Sequence, residues 1–277
     1  MKTHTKSNGL TLVVLSLGLI LGLILALPAH AALQSRLNGQ AVYDTDLNIT
    51  WLTNANLMAS NTFGLDYYES YGSDNQFKGL HDYDQCVIEH RGKATWCGAQ
   101  TWIGAMNNAN HLGYNDWRLP TVSPINGSTF TINALDYDGT SDIGLNVSAP
   151  GTSNAGGKGS EMAYLFYNEL GNKAYLDVSG NYIDQSDWGV TNSGPFQNLQ
   201  NSDYWSGTVF APAPNNAWMF DTQSGYQTIF QREFASYAMV VRSGDVAAPV
   251  PEVDAYALMA LGMGLVGWLA RRKQQSA

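Results

Sequence analysis

Two uncharged apolar stretches, residues 10–27 and 255–270, bracket this chain of 277 residues and limit which part of it can fold in water. Lys2 and Lys6 precede the first stretch, and Ala29-His30-Ala31 follows it in "PAHAA". A positive start, an apolar middle and a small-x-small site predict a secretory signal peptide over residues 1–31, with Ala29 and Ala31 as the small residues at the cut. Its apolar part is at the lower edge of a spanning length, so an uncleaved N-terminal anchor is the other reading. The second stretch has 16 residues. Roughly 17–25 are needed to span hydrocarbon comfortably, so it crosses only with bilayer thinning or snorkelling at its ends. Arg271, Arg272 and Lys273 behind it would stay cytoplasmic, leaving the body outside. The stretch shows no polar face and stands behind the Pro-bearing linker "GDVAAPVPE", which disfavours a core helix.

The order of these tail features resembles the PEP-CTERM sorting signal, in which a Pro-Glu-Pro motif precedes a short transmembrane helix and a basic cluster. Here the motif reads Pro251-Glu252-Val253, with valine where the pattern has its second proline. The resemblance implies recognition by an exosortase, a passing stay in the inner membrane and cleavage near Pro251 and Glu252. It also implies a final place in the cell envelope or outside the cell. The expected organisation is a signal peptide (1–31), a folded domain (32–246), a linker (247–254) and a sorting helix with basic tail (255–277).

Residues 32–250, about 219 in all, suffice for one well-buried domain. They carry nine Lys/Arg against 21 Asp/Glu, a net charge of −12. Nucleic acid is excluded as a partner, because phosphate binding needs clustered basic residues. The acidity suits divalent cations or a well-solvated surface. Cys86 and Cys97 are the two cysteines. An even count in an oxidising compartment predicts a disulfide, worth about 3 kcal/mol by loop entropy. A metal or catalytic thiol is the alternative.

Within the body, "GQAVYDTDLNITWL" reads as a hairpin with its turn at residues 44–47. Trp102, Ala105, Met106 and Ala109 form one helical face within residues 98–112, with Gly113 as the stop. A second helix starts at Ser160 as cap, with Glu161 in its positive first turn. Met162, Leu165, Phe166 and Leu170 line its buried side, and Gly171 ends it. "DYWSGTVF", "AWMFDTQ", "YQTIFQ" and "YAMVVRS" then alternate as antiparallel strands with one wet face. Helices followed by a meander indicate an α+β fold.

"LNITWLTNANL", "GYNDWRLPT", "GSEMAYLFYNELGN", "GPFQNLQNSDYWSGT", "AWMFDTQSGYQ" and "YAMVVRSGDV" stand in this order over residues 36–246. In these pieces the body resembles the Lcl C-terminal domain family, a bacterial domain of unknown function. The resemblance implies a C-type-lectin-like fold of two helices, a small antiparallel sheet and long loops. It also implies a polysaccharide or other glycan ligand, since some members resemble adhesins for sulfated glycans. In such a fold "WRLPT" enters the core. Trp117 and Leu119 would pack, Arg118 would reach a carboxylate or carbonyls, and Pro120 would start a turn. Arg118 could instead bind a carboxylate or sulfate ligand through its fork.

Three patterns bear on chemistry. Asp136, Asp138 and Asp142 surround Gly139 in the long loop, and their carboxylates could begin a Ca²⁺ site; a solvated turn is the plainer reading. His81, Asp82, Asp84 and His90 offer metal-ligating groups, or simply a surface loop. Exposed Tyr or Trp rings could stack on a sugar. The Glu-Pro-Asn, Gln-Pro-Asp and Trp-Asn-Asp motifs of calcium-dependent sugar binding are absent from the sequence, as are serine-elbow and zinc-helix motifs. The reading is therefore a non-enzymatic exported protein that binds a surface ligand and needs no cofactor, Ca²⁺ aside. An exported enzyme of unknown reaction and a passive structural module are the alternatives.

Overall fold

Asp44 makes the turn between the second and third strands of the fold. The computed structural model describes residues 32–67, 86–132 and 136–246, all within the unit that begins at Ala32. The strands β1 (Leu33–Arg36), β2 (Ala41–Asp44) and β3 (Ile49–Leu52) pair antiparallel in sequence. Between β2 and β3, Asp44 Oδ1 accepts from the backbone N–H of Asp46 (3.0 Å) and Leu47 (2.9 Å), the aspartate turn that the sequence predicts.

A short strand, β4 (Lys93–Ala94), leads into helix α1 (Trp96–Asn108). Thr95 Oγ1 caps the helix by accepting from Gly98 N at 3.1 Å. The helix thus begins earlier than expected and ends earlier too, because Asn110 takes the left-handed conformation (φ 51°) before Gly113 is reached. Its buried face is Ala99, Trp102, Ile103 and Met106. Ala109 is exposed, so the true stripe is turned slightly from the predicted one.

Strand β5 (Gly144–Leu145) precedes helix α2 (Glu161–Tyr164), which continues as a π-helical turn over Leu165–Glu169. Ser160 Oγ accepts from Ala163 N at 3.2 Å, and Met162, Leu165, Phe166 and Leu170 are buried as predicted. The strands β6 (Asp203–Val209), β7 (Asn216–Asp221) and β8 (Tyr226–Gln231) form the expected antiparallel meander.

Two expectations about these strands need correction. "YAMVVRS" is not one strand. It supplies β9 (Ser236–Tyr237), parallel to β6, and then β10 (Val241–Ser243), which pairs with β3. One small sheet thereby becomes two, ordered β1-β2-β3-β10 and β4-β9-β6-β7-β8-β5. Nor do β6 and β7 have a wet face, for Ala217, Trp218, Met219 and Phe220 are all buried. Trp205, Ala217 and Met219 pack with the α1 residues Trp102, Ile103 and Met106. Tyr204 and Phe220 pack with Phe166 of the π-helical turn. Each face of the sheet has its own apolar cover, which is why the "AWMF" run is continuous. Among the described residues the fold is α+β, with two helices and mainly antiparallel sheets. No helix among them is long and apolar enough to cross a membrane. Residues 1–31 and 247–277 lie outside the described residues, as do both terminal signals.

"WRLPT" holds these parts together. Trp117 and Leu119 are buried. Arg118 pairs its backbone with Val241 of β10 in both directions, at 2.8 and 2.9 Å. Pro120 O accepts from Gly207 N of β6 (2.8 Å). The Arg118 guanidinium meets Glu161 in a fork, Nη1 to Oε2 and Nη2 to Oε1, each at 2.8 Å. Glu161 Oε2 also accepts from Thr121 N at 2.7 Å.

The β2–β3 turn meets α2 through Asp46. Tyr164 Oη donates to Asp46 Oδ2 (3.1 Å), and Lys158 Nζ donates to the Asp46 carbonyl. Beside them, burial and the charges of Asp44 and Asp46 push the Glu169 carboxyl up to about 7, against a smaller opposing effect of Lys158. Burial and Asp221 similarly raise Asp203 to about 6.

Two outcomes follow from this packing. Arg118→Ala leaves the buried Glu161 carboxylate without its cation and should lower unfolding free energy by about 2–3 kcal/mol. Arg118→Met with Glu161→Gln keeps an acceptor for Thr121 N–H and should recover most of that loss in urea titrations. Glu169 is raised in the folded state, so folding takes up a proton between its ordinary value of 4.5 and about 7. Its contribution is complete below that window and is lost as pH rises through it. Asp203 acts likewise only up to about 6. Burial lowers the His111 imidazole, which adds stability with rising pH in the same range, so the Glu169 effect is read against Glu169→Gln: the melting temperature of the unaltered chain relative to that variant should fall between about pH 6 and 7.

Candidate ligand-binding surface

Residues 173–189 form an arm that the sequence reading passed over. Its two limbs meet through isolated antiparallel bridges, Lys173 with Gly189 and Leu176 with Tyr182. Asp177 builds the turn between them. Its Oδ1 accepts from Ser179 N (2.8 Å) and Asn181 N (2.9 Å), and its Oδ2 from Asn181 Nδ2 (3.0 Å). Those hydrogen bonds hold the Asp177 carboxyl below its usual range. Gly180 closes the turn at φ +80°, with its N–H on Asp177 O at 3.0 Å.

Two buried asparagines anchor the arm. Asn172 Oδ1 accepts from the backbone of Thr191 (3.1 Å) and Asn192 (2.9 Å), while its Nδ2 donates to Asn192 O (2.9 Å). Asn146 Nδ2 donates to both Tyr137 O (2.8 Å) and Leu176 O (2.9 Å), tying the arm to the long loop. Tyr137 lies directly on the arm's turn, because a Cβ at Gly180 would come within 3.0 Å of its ring.

The arm carries three rings, of which Tyr175 packs partly on the core and Tyr182 faces outward. Tyr175 lies with its centroid 6.1 Å from Tyr182 and 6.1 Å from Trp188. Tyr182 is 84% exposed and Tyr137 is 42% exposed. An exposed aromatic of this kind presents an apolar face with a polar tip to any ligand. Other exposed apolar side chains are placed differently. Phe230 and Phe234 pair with each other 4.7 Å apart, and Phe130 stacks on buried Trp218 at 4.8 Å.

The residues singled out from sequence fall into separate places. Cys86 and Cys97 are bonded, with Cα atoms 4.6 Å apart, and fasten the segment before β4 to the start of α1. Arg118 spends its fork on Glu161, and Pro120 is buried. Asp136 and Asp138 come together over Thr140, whose Oγ1 donates to Asp136 Oδ2 (2.7 Å) and Asp138 Oδ1 (2.7 Å). Asp142 turns inward instead, where its two oxygens accept from Ile125 N (2.8 Å) and Thr131 N (2.7 Å). Among the described residues no group of three or more His, Cys, Asp or Glu is placed to hold a metal ion. His90 lies against the Tyr67 ring, centroids 4.3 Å apart. His81, Asp82, Asp84, Ala29, Ala31, Pro251 and Glu252 lie outside the described residues.

The ring surface was legible in part. "DVSGN" between aromatic residues is a Gly-containing turn of hairpin length. Exposure of the rings is a tertiary fact that no local pattern states. Comparison with protein-family models, with characterised proteins and with solved structures found no match to this chain.

Proposed function

We propose that residues 32–246 are a non-enzymatic, exported binding domain of C-type-lectin-like type, and that its ligand is a polysaccharide taken up on the aromatic arm. The observation that carries this reading is Tyr182, 84% exposed yet 6.1 Å from Tyr175, which in turn meets Trp188 edge-on, on a turn built by Asp177 hydrogen bonds. Pre-ordered rings lose little freedom when a sugar stacks on them. The resemblance of the body to the Lcl C-terminal domain supports the same reading. The tail, with Pro251-Glu252 before its apolar stretch, supports sorting by an exosortase to the envelope or extracellular matrix.

Two measurements test these halves separately. The purified full chain should bind a subset of a polysaccharide array. Tyr182→Ala should weaken that binding about tenfold, equivalent to about 1.4 kcal/mol, without changing the melting temperature. An array without binding would remove the ligand claim. Intact mass of the protein released by its native host should match residues 32 to about 251; a retained tail would replace sorting with simple anchorage.

A further inference from the structure

The charge around the arm narrows the ligand. Residues 119–157 and 174–231 contain no Lys, Arg or His. These two segments supply all the rings of the surface, with Lys173 at the base of the arm. Three of the rings have carboxylates as close neighbours along the chain. Asp136 and Asp138 flank Tyr137, Asp184 follows Tyr182 by two residues, and Asp187 precedes Trp188. Asp138, Asp184 and Asp187 are exposed. None of these four carboxylates is in an ion pair among those the structure shows. Three Arg forks of the kind that recognises sulfate are committed to carboxylates, Arg118 to Glu161, Arg242 to Asp116 and Arg36 to Asp245, while Arg232 lies over the Trp96 ring and Arg91 stands in the turn before β4.

A sulfated or uronate chain brought to these rings would meet like charge without a compensating donor fork. An ammonium group gains twice. It is attracted by neighbouring carboxylates and by the faces of Tyr and Trp. We infer that the ligand of the aromatic arm is a polysaccharide bearing free amino groups, held by ring stacking and by the carboxylates beside Tyr137, Tyr182 and Trp188. This rests on the arm being the glycan-binding surface. Hydrogen bonds from Thr140 and Asn181 hold Asp138 and Asp177 below their usual carboxylate range, so both stay ionised in the mildly acidic medium where sugar amines are protonated.

The test is calorimetric titration of the full chain with three probes at mildly acidic pH: a chitosan oligosaccharide, its fully N-acetylated counterpart and a heparin fragment. Chitosan should bind about tenfold tighter than the acetylated chain, and added salt should narrow the difference. Asp184→Asn with Asp187→Asn should reduce that preference several-fold while leaving affinity for the acetylated chain unchanged. Tyr182→Ala should weaken both. Equal affinity for the two, or preference for heparin, would overturn the amine assignment and leave the arm as a glycan surface. Silence from all three probes, with a silent polysaccharide array, would overturn both.

Discussion

Arg118 and Glu161 face each other through two parallel 2.8 Å hydrogen bonds, and every major part of the domain touches the segment that carries this pair. The backbone of Arg118 extends the first sheet beyond β10. Pro120 and Val122 contact β6 of the second sheet through Gly207 N and Thr208 Oγ1. Glu161 opens α2, and its own N–H donates to Thr121 O at 3.1 Å. A charge pair with this little solvent must be well matched to offset its desolvation. The fork geometry and the third bond from Thr121 N–H supply the match. The pair therefore fixes where α2 sits against the sheets, and through α2 the position of Tyr167.

Tyr167 connects that frame to the surface. Its hydroxyl accepts from Asn146 N (2.9 Å) and donates to the Gly225 carbonyl. Asn146 in turn holds the long loop and the aromatic arm by its side-chain amide. Ala174, Tyr175 and Leu176 seat the base of the arm on the core, and the asparagine hydrogen bonds hold its outer part, where Tyr182 and Tyr137 face water.

Local signals were readable where one segment decided its own conformation. Ser160 as a helix cap, Asp44 as a turn former and the Cys86–Cys97 bond are of this kind. Signals that depend on a neighbour were misread. The alternation of β6 and β7 suggested one wet face, but α1 and α2 cover both. "YAMVVRS" looked like one strand because its apolar run is unbroken, yet β9 and β10 belong to different sheets. Asp136, Asp138 and Asp142 lie within seven residues, but the chain folds Asp142 back onto the backbone of Ile125 and Thr131.

The sequence by itself determined the α+β composition, the helix and turn boundaries to within a few residues, the disulfide and the acidic balance. Caps, periodicity and charge are properties of neighbouring residues, and they do not require knowing what packs where. Only the tertiary structure decided that Arg118 is paired with Glu161, that the sheet is covered on both faces and that three aspartates part company. It also decided that Tyr137, Tyr175, Tyr182 and Trp188 share one surface, with Tyr182 the most exposed. Those outcomes depend on groups far apart in the chain, such as Asn146 and Leu176, meeting through hydrogen bonds that no local pattern encodes.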